Sequence, residues 1–117
     1  MKAKLKDYYC RDIKDFDKNF SDSDNFNVSI QLFIGPEDEE GEESFEVNVC
    51  SPKWLLNNIS EKEILFGKGL IISLDYNIER IIASVKKNIS SFEGENWNEV
   101  AMKLSQIGYW EFENYNN

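Results

Sequence analysis

The sequence predicts an α+β domain: an antiparallel β-sheet of about four strands, with two C-terminal amphipathic helices packed on one face. Two patterns and their order carry this expectation. Phe26, Val28, Ile30, Leu32 and Ile34 alternate with Asn27, Ser29, Gln31 and Phe33, and Phe45, Val47 and Val49 alternate with Glu46, Asn48 and Cys50. Period two marks strands with one buried face. After residue 77 the period changes. Ile78, Ile81, Ile82, Val85 and Ile89 fall at i, i+3, i+4, i+7 and i+11, which is one stripe of an amphipathic helix. Strands come first and helices last, the order of a domain whose helices lie on one side of an antiparallel sheet.

The elements follow along the chain. Residues 2–10 read as a first strand, with Ala3, Leu5, Asp7 and Tyr9 on one face and Lys2, Lys4 and Lys6 on the other. Lysines on an exposed face discourage edge-to-edge association. Residues 11–24 are polar and charged, with Ile13, Phe16 and Phe20 spaced for one helical turn or a loop. A hairpin then spans residues 25–50, with Gly35-Pro36 and Gly41 as turn residues. Its connection carries Glu37, Asp38, Glu39, Glu40, Glu42 and Glu43 and no base. Ser51 and Pro52 suit the N-cap and first position of a short helix that Trp54 and Leu55 would pack down. Residues 63–74 hold Ile64, Leu65 and Phe66, then Gly67-Lys68-Gly69, then Leu70, Ile71, Ile72 and Leu74, and read as a last long strand bent at the glycines. Asp75 or Asn77 would cap the first amphipathic helix, with Ile82 buried mid-stripe. Asn96-Trp97-Asn98-Glu99 resembles a capping box opening a second helix, whose stripe is Trp97, Val100, Ala101 and Leu104 and whose C-cap is Gly108. Tyr109–Glu113 alternates again, as a short tail strand or packed extension.

At 117 residues the chain makes one domain, residues 1–117. A domain of this size buries roughly 65% of the surface its unfolded chain exposes, enough for a core. The 22 acids outnumber the 13 bases and give a net charge of −9. That balance disfavours nucleic acid and anionic membranes as partners and suits a basic protein; plain solubility is the bland alternative. No run of 18 apolar residues marks a membrane span. The basic start, Met1 to Lys6, leads to Asp7-Tyr8-Tyr9 and not to the apolar core of a secretory signal. A cytoplasmic protein is expected, with Cys10 and Cys50 as buried free thiols.

Catalytic chemistry finds little to work with. There is no histidine, hence no Ser-His or Cys-His pair and none of the commonest metal ligand. Two cysteines forty residues apart make no zinc signature, and no phosphate-binding glycine fingerprint is present. The acids of residues 37–43 fit neither a calcium loop nor a rigid catalytic carboxylate pair, since they sit on a connection expected to be mobile. No catalytic residue, metal site, cofactor or small-molecule substrate is expected. Core packing accounts for Trp54 and Trp97. Trp110 is the exception, because a tail of Trp110-Glu111-Phe112-Glu113 can present aromatic anchors with a charged rim. Glu37, Asp38, Glu39, Glu40, Glu42 and Glu43, and then Trp110, Glu111, Phe112 and Glu113, are therefore the candidate partner-binding residues.

Two blocks also carry a family resemblance. One is Gly35-Pro36, Gly41-Glu42-Glu43-Ser44-Phe45 and Val49-Cys50-Ser51-Pro52-Lys53-Trp54-Leu55. The other is Trp97, Val100-Ala101, Leu104-Ser105-Gln106-Ile107-Gly108-Tyr109-Trp110-Glu111-Phe112-Glu113 and Tyr115, with Phe66-Gly67 between the two blocks. Together they resemble the immunity protein 8 family. The resemblance implies a cytoplasmic antitoxin of a bacterial polymorphic toxin system, encoded beside its toxin, which protects its producer by binding a cognate toxin domain. It brings no catalytic motif. Were the toxin a nuclease, its substrate surface would be basic and the −9 charge would steer association. The alternative is a small acidic adaptor or regulatory interaction protein with no toxin partner. A neighbouring reading frame with a variable C-terminal domain separates the two.

Overall fold

The computed structural model describes residues 1–10 and 24–111. The helical turn considered for Ile13, Phe16 and Phe20 lies outside them, as do Phe112 and Glu113. Eight elements follow in order: β1 (Ala3–Cys10), β2 (Asn27–Pro36), β3 (Glu43–Cys50), α1 (Pro52–Asn58), β4 (Leu70–Ile72), α2 (Ile78–Ile89), α3 (Trp97–Leu104) and β5 (Tyr109–Trp110). The class is α+β, with the long strands first and the two packed helices late.

The alternating apolar residues form the core as their period requires. Val28, Ile30, Leu32 and Ile34 of β2 and Phe45, Val47 and Val49 of β3 are all buried. Ile81, Ile82, Val85 and Ile89 of α2 and Val100, Ala101 and Leu104 of α3 join them in one cluster. The two helix stripes thus close over the face of the sheet that the strand alternation leaves apolar. Helix ends obey local chemistry. Asn77, not Asp75, caps α2, its side chain accepting from the Arg80 N–H at 3.1 Å, while Asp75 pairs with the Arg80 guanidinium. Ser51 caps α1, accepting from the Trp54 N–H at 3.2 Å. Asn96 caps α3, accepting from the Glu99 N–H at 2.9 Å, and Glu99 lies 3.6 Å from Lys103.

Four expectations change. In β1 the register slips between Leu5 and Asp7, leaving Lys6 as a bulge. A one-residue slip exchanges the faces of every later residue. Cys10 is therefore buried and Asp7 and Tyr9 are exposed, the reverse of strict alternation from Ala3. Gly35-Pro36 does not turn; it continues β2 opposite Lys4 and Ala3.

Third, the long strand expected over residues 63–74 contracts to Leu70–Ile72, and it runs parallel to β3. The sheet is consequently mixed, in the order β1-β2-β3-β4 with β5 also on β3. Extending β4 toward Phe66 in its register would require the positions of β3 at Phe45 and Glu46. Those are already paired with Trp110 and Tyr109. Ile64 and Phe66 are left with no strand to join and are exposed. Finally, Ser105 is the C-cap of α3. Gly108 serves a close approach instead: a Cβ there would stand 3.1 Å from Val47 Cγ1 and 3.2 Å from the Glu46 carbonyl.

Candidate partner-binding surfaces

The acidic connection between β2 and β3 is tied at both ends and in the middle. The Glu37 N–H donates to the Lys2 carbonyl at 2.8 Å. Lys6, displaced from the ladder by the bulge, aims its ammonium into the loop and donates to the carbonyls of Glu39 and of Gly41, the latter at 2.9 Å. The charge run alone gives no sign of this lysine, which bonds the backbone of the loop. The side chains of Glu37, Asp38, Glu39, Glu40 and Glu42 are exposed. Glu43 differs. It is half-buried, and its Oε2 accepts from the indole N–H of Trp97 at 2.9 Å. Five of the six acids form the charged tip, and the sixth joins β3 to α3.

The tail candidates come to the same end of the sheet. Trp110 is half-buried, its ring stacked on Phe45 with centroids 6.2 Å apart and planes 13° apart. Much of it packs inward. Glu111 pairs with Ser44: its N–H donates to the Ser44 carbonyl at 3.0 Å, and its Oε1 accepts from the Ser44 N–H at 3.0 Å. Ser44 follows Glu43, so the exposed Glu111 sits beside the acidic tip. The sequence offered the two segments as separate surfaces. Pairing across 67 positions of sequence joins them, and no local pattern predicts the partner of a two-residue strand.

A second surface lies toward the other end of β3, and sequence reasoning passed over it. Between β4, α2 and the turn at Gln106-Ile107 is a cleft of about 380 Å³, lined on its apolar side by residues such as Leu32, Val47, Ile71, Ile81, Val85 and Ile107. Arg80, Ser84, Asn88 and Gln106 supply its polar rim. Leu56, Ile64, Leu65, Phe66, Ile72 and Leu74 are exposed along the chain that leads to and from β4. The signal was the apolar run Ile64-Leu65-Phe66, but it was consumed in the expectation of a long strand.

Among the described residues two titratable groups depart from their ordinary values. Burial pushes the Cys50 thiol up. Burial, then the nearby Cys10 and Tyr8, push the Tyr76 hydroxyl up to about 12. Cys10 and Cys50 are both buried, as expected. Among the described residues no three acidic or thiol side chains gather to hold a metal ion, and no helix is long and apolar enough to cross a membrane.

Comparison with known proteins adds one match. A family model described as Immunity protein 8 matches residues 3–115. No curated protein and no solved structure matches the chain.

Proposed function

The chain belongs to the immunity protein 8 family, and from that premise we propose that it is a cytoplasmic antitoxin that neutralises a cognate toxin domain by stoichiometric binding, without turnover. The observation that carries this reading is the extent of the match, which covers residues 3–115. The acidic end of the sheet supports a basic partner. Five exposed carboxylates stand on the loop that Lys6 bonds, with Glu111 beside them, on a chain of net charge −9. Such a field speeds encounter with a cationic surface and contributes less to the lifetime of the complex. A nuclease, whose substrate site is basic, is a partner of this kind. Neutralisation then occurs by covering the active site or by holding an inactive toxin conformation.

Co-expression with the toxin domain of the neighbouring gene tests the proposal. Growth should be restored, and the two chains should co-purify in fixed ratio. Protection at clearly substoichiometric amounts of this protein would replace binding by catalysis as its mode of action.

A further inference from the structure

We propose that the open edge of β4, with the cleft beside it, is the surface that receives an extended segment of the toxin as an added strand. The proposal rests on the toxin-binding reading above and places the lasting contact at the opposite end of β3 from the acidic tip. Phe45 and Cys50 are about 17 Å apart along that strand at the usual strand rise.

The backbone supplies the first observation. In the parallel ladder the Asn48 N–H donates to the Gly69 carbonyl at 2.7 Å, and the Ser73 N–H donates to the Cys50 carbonyl at 3.0 Å. Alternation then turns the intervening odd residue, Ile71, toward β3 and the N–H and C=O of Ile72 away from it. The Leu70 N–H is satisfied within the chain, by the Gly67 carbonyl at 3.0 Å. β4 ends the strand order. Within Leu70–Ile72 it has no lysine, proline or bulge, which leaves its shortness as the one feature that blunts the edge.

The surroundings supply the second. Of the eleven large apolar side chains exposed among the described residues, six lie between Leu56 and Leu74. Phe66 is 85% exposed and Leu74 75% exposed. Over the same stretch the charges are Glu61, Glu63, Lys62 and Lys68, which sum to zero on a chain of −9. Exposed apolar side chains gathered along one stretch with little net charge are of the kind that protein interfaces bury.

Cleft and charge together identify the occupant. A strand added beside β4 alternates its side chains, and those on the side of Ile71 fall over the cleft of about 380 Å³ against Ile81 and Val85. The segment therefore carries a large apolar residue there. The cations nearby are offset: Arg80 is paired with Asp75, and Glu61 and Glu63 balance Lys62 and Lys68 in the charge of the stretch. The rest of the surface attracts such a partner, and a second copy of this chain, itself at −9, is disfavoured by the same field.

The test uses the full chain and the purified, catalytically inactivated toxin domain of the neighbouring gene. Ile72→Pro removes only the outward N–H and spares the ladder to β3. Phe66→Ser with Leu74→Ser strips exposed apolar surface and keeps the fold intact even where the proline variant does not fold. Each variant should bind the toxin at least tenfold more weakly while the double serine variant melts within a few degrees of wild type, and the Ile72 amide should become protected from hydrogen exchange in the wild-type complex. Wild-type affinity in the double serine variant, with an Ile72 amide that exchanges freely in the complex, overturns the edge and leaves toxin binding standing. Absence of any complex with the wild-type protein removes both. An edge that pairs two copies of this chain, released by Ile72→Pro without change in toxin affinity, also overturns the proposal.

Discussion

Ile82 and Glu43 mark two different ways in which single residues hold this domain. Ile82 is 5% exposed, mid-stripe on α2. Its truncation to Ala should destabilise the fold by about 2–5 kcal/mol, because the cavity it leaves adds to the lost transfer energy; urea unfolding measures this, and a loss well under 1 kcal/mol would place the α2 face elsewhere. Glu43 acts through a bond. Trp97→Phe keeps the ring contact with the core and removes the N–H that Glu43 accepts. A loss of about 1.5 kcal/mol is expected, at the low end for a bond to a charged group since both partners are only half-buried. Tyr76 sets an alkaline limit. Its ring meets Phe26 edge-on at 5.4 Å, and its folded pKa, about 12, lies above the ordinary value of 10.0. The native state thus favours the neutral hydroxyl, so this contribution to stability is complete below pH 10, falls as pH rises toward 12 and levels off beyond. Absorbance titration at about 295 nm should show one tyrosine ionising late, and Tyr76→Phe should flatten the alkaline loss of stability.

Among the elements, the bulge in β1 and the narrow β4 show how pairing decides what a strand presents. Lys6 leaves the ladder and reaches two carbonyls of the hairpin tip. Lys6→Met should leave the melting temperature nearly unchanged, since the lysine is only partly buried, while amide exchange over residues 38–42 accelerates; unaltered exchange there would show that the tip holds its shape without Lys6. Gly69, which leads into β4, has φ +72°, and a Cβ there would stand 2.6 Å from the Tyr109 ring. Gly69→Ala therefore meets a backbone penalty of about 1 kcal/mol and a clash worth about 1–3 kcal/mol. Unfolding in denaturant should register a combined loss of about 2–4 kcal/mol, together with a displaced β5.

For the whole molecule the charge distribution matters more than any one acid. Changing Glu37, Asp38, Glu39, Glu40 and Glu42 to Gln or Asn should leave the fold intact, because all five are exposed. Association with the toxin domain should slow at low salt, and the salt dependence of the rate should flatten, since such charges act over about 8 Å at physiological ionic strength. Stopped-flow mixing at two ionic strengths reads both. An unchanged rate at low salt would move the electrostatic contact away from the tip. Glu43 is left out of the set because its carboxylate serves the fold.

The class, the hairpin of β2 and β3, the stripes of α2 and α3 and the caps at Ser51 and Asn96 were all legible in the sequence, and Asn77 was one of two candidates for the α2 cap. Each is dictated by chemistry within a few residues: a period of two or 3.6, or a side-chain oxygen placed to accept from a nearby N–H. The acidic tip was legible for the same reason, as a run of charge. What needed the tertiary structure was every feature that depends on a neighbour distant in sequence. The slip at Lys6 is defined only against β2. The shortness and parallel sense of β4 follow from competition with Tyr109 and Trp110 for one edge of β3. The ring of Trp110 turned out to be occupied by Phe45, and Glu111 by Ser44. Local pattern determines which residues seek burial, but an edge can be paired only once, and which segment takes it is settled by the whole chain.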